Sequence, residues 1–230
     1  MGAIVCHPLG DLVYQWDFSF LWAYRNLLFS GLLHTLGYTI MCIALGLTFG
    51  MIAGLGQLSR SRLVRVPFKS YVEVFRAAPL LVQIIWFYYA LPVLLGIEMS
   101  PAMAAVMALS LYGGAFYSEI IRGGIISIDA GQSEAARALG MTRFQIMRRV
   151  VLPQALRRMT PPLMNQSIMQ LKNTSLVSVV ALPDLVYQGQ AVVHETYRPL
   201  ETYTLIAVIY LAVLLPVTAL VKRLENRVPA

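Results

Sequence analysis

In TPPLMNQSIMQLKNTSLVSVVALPD, residues 160–184, Lys172 stands among Asn165, Gln166, Gln170, Asn173 and Ser175 inside an otherwise apolar run. An ammonium group and side-chain amides together can meet both ends of a zwitterion. Hydrocarbon alone would not tolerate them, so this segment must face protein or a water-filled path. The same groups also have a structural use, with Lys172 paired to a carboxylate or to carbonyls of a neighbouring helix. Ionisable residues recur at the ends of other apolar runs, as Glu73 with Arg76 and as Glu119 with Arg122, the latter three apart on one helix face and suited to a local pair. Nothing in the chain suggests covalent catalysis, and no catalytic residue is assigned. His34 and His194 lack ligands at metal spacing, and Cys6 and Cys42 lie far apart. There is no G-x-x-x-x-G-K-[ST] loop, and none of the three lysines follows a glycine, so no phosphate cradle of that kind is built here.

The elements that must hold these groups are membrane spans. Of the 230 residues, 58% are hydrophobic and only 13% charged, with a mean hydropathy of +0.66. That composition is too apolar for an ordinary soluble domain and predicts an all-α integral membrane protein in a lipid bilayer. A net charge of +7 could suit nucleic acid, but the basic residues sit in short clusters between apolar runs, which argues for membrane orientation instead. Five spans are expected, at about 27–58, 70–97, 101–121, 160–184 and 200–221, within one transmembrane domain over 27–221. Gly46, Gly50 and Gly54 fall four apart in the first and point to close helix packing, while Pro92 should bend the far end of the second. Fourteen of the eighteen basic residues follow the first, third and fifth spans. That side is expected to be the cytoplasm, leaving residues 1–26 outside and the tail 222–230 inside. The N-terminus has no basic region of a cleaved leader, and residue 6 is not the Ser or Thr of a myristoylation signal.

The loop over 122–159 carries seven arginines and the run EAARALGMTRFQIMRRVVLP, residues 134–153. Ser133 is expected to cap a short helix with Glu134 in its first turn, and Gly140 to stop it. Thr142 and Gln145 form a T-x-x-Q capping box for a second short helix, which should end near Leu152 and Pro153. Two short helices joined at a glycine make an elbow that can dock into a partner's groove or lie on the membrane surface as an amphipathic hairpin.

At these residues the chain resembles the membrane subunits of bacterial ABC importers. Their motif is EAA, three residues, glycine, nine residues, an aliphatic, any residue, then Leu-Pro. Here Glu134, Ala135, Ala136, Gly140, Leu152 and Pro153 match, and Val150 takes the aliphatic place where isoleucine is commoner. FRAAPLLVQ over 75–83, YSEIIRGGI over 117–125, Gln132 before EAA, and KNTSL over 172–176 are similar to the polar amino-acid branch, over roughly residues 20–225. Ala77-Ala78 replaces the usual Gly-Thr before Pro79, a change that could alter substrate preference, and Ser118 stands where alanine is common.

The resemblance implies a type I ABC importer permease fold whose elbow is a cytoplasmic coupling helix in the bacterial inner membrane. It implies a permease that forms the path with a second, same or similar permease chain and takes substrate from an extracytoplasmic solute-binding protein. A separate ABC ATPase dimer would bind ATP and Mg, with no cofactor in this chain. Glu134, Ala135, Ala136, Arg137, Gly140, Arg143, Leu152 and Pro153 would form the coupling surface, with Arg137 and Arg143 meeting ATPase carboxylates or phospholipid headgroups. Arg76, Pro79, Gln83, Glu119, Asn165, Gln166, Gln170, Lys172, Asn173 and Ser175 are the candidates for the substrate path. Because KNTSL recurs among importers of different amino acids, the structural use of Lys172 is favoured. The substrate is expected to be a polar amino acid, with an acidic or amide side chain preferred. The alternatives are an opine-like or ectoine-like derivative, or a membrane scaffold that transports nothing.

Overall fold

The computed structural model describes residues 14–225. Cys6, the first half of the expected outer segment and the end of the tail, with Arg227, lie outside them. Among the described residues every regular element is helical: α1 Arg25–Gln57, α2 Arg62–Ala77, α3 Leu80–Ile85, α4 Leu91–Leu95, α5 Pro101–Ile126, α6 Ala130–Ala138, α7 Arg143–Ile146, α8 Leu152–Asn173, α9 Leu185–Thr196 and α10 Pro199–Glu225. Helices α1, α5 and α10 are each long and apolar enough to cross a membrane. Two bent pairs bring the number of candidate crossings up to five.

The centre of the bundle is the contact of α1 with α5. Gly46, Gly50 and Gly54 lie against Tyr117, Gly114, Ser118 and Ile121 in rising order, so the two helices run parallel. A Cβ on Gly50 would stand 2.5 Å from the Tyr117 Cβ and 3.1 Å from the Gly114 carbonyl, which leaves no room for even an alanine. The small residues thus let the two backbones approach to a distance that side chains would forbid. Tyr117, fully buried, reaches across to α8 in a 2.9 Å hydrogen bond with the Ser167 hydroxyl. Gln170 of α8 donates to the Leu109 carbonyl of α5 at 2.9 Å. Both bonds fix α8 antiparallel to α5.

The expected second span is not one straight helix. Ala78 and Pro79 are extended, and the chain bends by 108° between α2 and the continuation through α3. Residues 70–77 therefore belong to α2, whose Arg62, Arg65, Lys69, Glu73 and Arg76 form one polar stripe while Phe68, Tyr71, Val72 and Phe75 face the core. Proline has no N–H and disfavours a helical predecessor, which breaks the helix here. Gln83 repairs the break, since its Nε2 donates to the Phe75 and Ala78 carbonyls at 2.8 and 2.9 Å, groups that the end of α2 would otherwise leave unpaired. Further on, Trp86–Ala90 forms a π turn directly before Leu91-Pro92, and the helix passes Pro92 without ending. A wider turn accommodates the missing proline donor.

At the opposite end from the α1–α2 connection, the N-terminal segment is tied to α10. Tyr14 Oη donates to Glu201, the Asp17 amide donates to the same carboxylate at 3.2 Å, and Arg198 lies 3.3 Å from it. Glu201 has no exposed surface, so these partners satisfy a fully buried charge.

Gly50→Ala is expected to destabilise the detergent-purified protein by about 1–3 kcal/mol through overpacking, whereas Gly37→Ala, with nothing within 4 Å of the added Cβ, should be neutral. Thermal unfolding of the two variants side by side checks this.

Candidate functional site

The elbow is built from three local signals. Asp129, not Ser133, caps α6: its Oδ1 accepts from the Gly131 amide at 2.6 Å. Both residue types can cap; the observed start adds a turn before Ser133, and Ala136 packs inward against Ile146 and Val151. Glu134 consequently lies in the middle of α6, exposed to solvent, rather than in its first turn. At the other end Gly140 has φ +77, the Gly140 amide bonds the Arg137 carbonyl and the Met141 amide bonds the Ala136 carbonyl. These two bonds form a Schellman stop, which requires the left-handed glycine. The capping box at Thr142 is complete, with Gln145 N donating to Thr142 Oγ1 at 3.3 Å and Thr142 N donating to Gln145 Oε1 at 2.8 Å.

The second elbow helix does not end at Leu152 and Pro153. α7 passes through a π turn, Met147–Val151, directly into α8. As at Pro92, the turn precedes a Leu-Pro pair, and Pro153 sits where α8 begins and its missing donor costs little. Helical structure therefore runs from Arg143 to Asn173, roughly 45 Å at the rise of an α-helix. It carries the elbow at one end and Lys172 at the other. Arg158 adds a brace, donating to the Ser127 carbonyl just beyond α5.

The elbow presents Ala135, Arg137, Arg143 and Pro153 to solvent, together with two residues that sequence reasoning passed over, Leu139 at 83% exposed and Phe144 at 71%. The signal for them was in plain view, as large apolar side chains beside the stop and the cap of an arginine-rich loop.

The candidate path residues fall into three groups. Arg76 and Glu119 come together: Arg76 lies 3.6 Å from Glu119, whose carboxylate accepts two bonds from Arg122 at 2.9 and 3.1 Å, and Arg76 also covers the Phe116 ring. With Gln57, Arg65, Lys69 and Glu73 they line a cavity of about 500 Å³. Gln83 and Gln170 are buried in bonds to backbone carbonyls, and Pro79 is the bend itself, which gives all three an architectural part. The rest lie on or next to α8, with Asn165 and Lys172 exposed and Gln166, Asn173 and Ser175 half-buried. Ser175 Oγ donates to the Lys172 carbonyl. The expected pairing of Lys172 with a neighbouring helix does not occur among the described residues, because Gln170 and Leu171 turn into the bundle and the next residue turns out of it. Gln170 meets α5 ten residues before Glu119, so the α8 group and the Arg76–Glu119 group are separated by roughly 15 Å along α5.

The family described as binding-protein-dependent transport system inner membrane component matches residues 46–229. Over 214 residues the chain is 37% identical to the glutamine transport system permease protein of Escherichia coli (strain K12), spanning 93% of this chain and 98% of that protein. The putative glutamine transport system permease protein of Rickettsia typhi (strain ATCC VR-144 / Wilmington) is 35% identical over 206 residues, or 89% of this chain and 94% of the relative. The crystal structure of an amino acid ABC transporter with histidines superposes with a TM-score of 0.88 at 37% identity, covering 93% of this chain and all of the other. An inward-facing methionine ABC transporter reaches 0.74 at 22% identity and shares the fold. With its elbow, its bent spans and this likeness along nearly its whole length, the chain belongs to the family of binding-protein-dependent transport system inner-membrane components, and is a transport subunit of the inner membrane rather than an enzyme.

Proposed function

We propose that the chain is the permease of an ATP-driven importer of a polar amino acid with an amide or acidic side chain, glutamine first among them. The likeness to glutamine permeases supports the substrate class. The observation that carries the mechanism is the unbroken run of helix from Arg143 to Asn173, one end an elbow with exposed Leu139 and Phe144, the other a polar face with Lys172. A pair of ATPase subunits, holding ATP and Mg, would grip the elbow, and a second permease copy would complete the path. Closure of the ATPases then moves α8 as a lever, and the exposed polar face alternates between the two sides. An extracytoplasmic binding protein would deliver the substrate. Lys172 would receive the α-carboxylate, and Gln166 and Asn173 would offer hydrogen bonds to the side chain. An exposed ammonium inside a span is costly in lipid, which favours its facing such a water-filled path.

The proposed orientation puts the elbow and the C-terminus in the cytoplasm. Its support is the gathering of Arg60, Arg65, Lys69, Arg122 and the elbow arginines at one end of the bundle.

Co-purification of the tagged chain from mild detergent is expected to bring an ATPase with a Walker A loop. Gly140→Val forces a β-branched residue to φ +77, costs about 1–3 kcal/mol locally, and should remove the ATPase or abolish substrate-stimulated hydrolysis. A folded native chain that brings no ATPase would refute the proposal. For the path, Lys172→Met should raise the KM for uptake about tenfold or more, equivalent to losing one charged hydrogen bond, with ATPase assembly intact. An unchanged KM would remove Lys172 from the substrate's contacts.

A further inference from the structure

Beside the elbow lies a cavity of about 590 Å³, two of whose arginines also belong to the expected coupling surface. Three arginines line it: Arg137 from α6, Arg143 from α7, and Arg60 from the connection between α1 and α2. Ser133 and Thr142 add hydroxyls, and Met141 with Met147 contributes an apolar wall. Among the described residues no carboxylate lies within ion-pair distance of any of the three guanidiniums. Three unpaired cations around one opening repel each other unless an anion joins them. Guanidinium groups match the oxygen geometry of phosphate, each offering a planar fork of donors.

We propose that this cavity binds the phosphate headgroup of an anionic phospholipid. Two observations favour a lipid over a carboxylate of the ATPase. Arg60 stands three residues beyond Gln57, the last residue of the apolar helix α1, which is headgroup depth. The cavity also joins cationic and apolar walls, as a glycerophosphate with its attached chains requires, while the exposed Leu139 and Phe144 lie outside its lining. Bound there, the phosphate bridges the elbow to the end of α1, so that the lipid holds the lever against the bundle. The inner-leaflet placement rests on the orientation proposed above.

The test measures lipid retained by the full-length detergent-purified chain, using native mass spectrometry with phosphatidylglycerol and phosphatidylcholine. The native chain is expected to retain phosphatidylglycerol preferentially, and the triple variant Arg60→Gln, Arg137→Gln, Arg143→Gln to retain it about tenfold less. A charge-matched control, Arg65→Gln, Arg148→Gln, Arg149→Gln, leaves the cavity intact and should retain lipid as the native chain does. Equal loss in the control would reduce the effect to net charge and overturn the site. If the first variant fails to fold, Arg60→Gln alone decides: it should lose lipid severalfold, and full retention overturns the proposal. Thermal stabilisation by inorganic phosphate equal to that by phosphatidylglycerol would identify a free anion as the ligand and overturn the lipid assignment. So would a glutamine variant that keeps its lipid and loses the ATPase. Ser59→Cys, in a chain whose own cysteines are replaced by serine, tests orientation separately. Labelling by an impermeant maleimide from outside the cell would reverse the sidedness while leaving the detergent measurement standing.

Discussion

The approach of α1 to α5 is the constraint on which the remaining contacts depend. Gly46, Gly50, Gly54 and Gly114 remove the side chains that would hold the two backbones apart. The carbonyls and ring edges that meet there have no slack. Tyr117 fills the seam and fixes α8 through Ser167, Gln57 reaches from the end of α1 to Ser118, and Tyr71 of α2 donates to the Leu111 carbonyl at 2.6 Å. In lipid there is no hydrophobic gain in bringing helices together, so close packing and such bonds must provide the association. A helix pair held this tightly acts as a fixed post. The elements around it, α2 with α3 on one side and α8 on the other, are each bent or widened at a proline.

That contrast gives the elbow its mechanical meaning. A short helical hairpin alone would be marginal in water. Here it has Ala136, Ile146 and Val151 packed beneath it and a direct helical continuation into the membrane domain. In the proposed coupling, a partner's pull on Phe144 would pass along this helix towards Lys172, with the π turn at Met147–Val151 as the place where the helix departs from a regular α-helix.

Much of this was legible from local chemistry. The glycine stripe, the capping box, the Gly140 stop and the Glu119–Arg122 pair each depend on residues no more than four positions from the next, and each is present as expected. What escaped depends on how the elements pack and run on into one another. Asp129 and Ser133 are both able to cap, and the residue types alone do not choose between them. Pro153 reads as a terminus until the widened turn before it is seen. Gln83 and Gln170 carry the same amide as Gln166, yet two of the three are taken up by backbone carbonyls. The direction in which Lys172 points follows from which side of α8 meets α5, a property of the assembled bundle.

The buried carboxylate of Glu201 has its own implication for how the molecule comes into being. Its partner Tyr14 is 187 positions away in the chain. During synthesis the N-terminal segment emerges first and finds no counterpart until the last helix leaves the ribosome. Closing so long a loop has an entropic cost that the bonds to Glu201 alone do not have to meet, since the packed helices between already hold most of the chain. Glu201 therefore becomes fully enclosed only once α10 has joined the N-terminal segment, a late event in assembly.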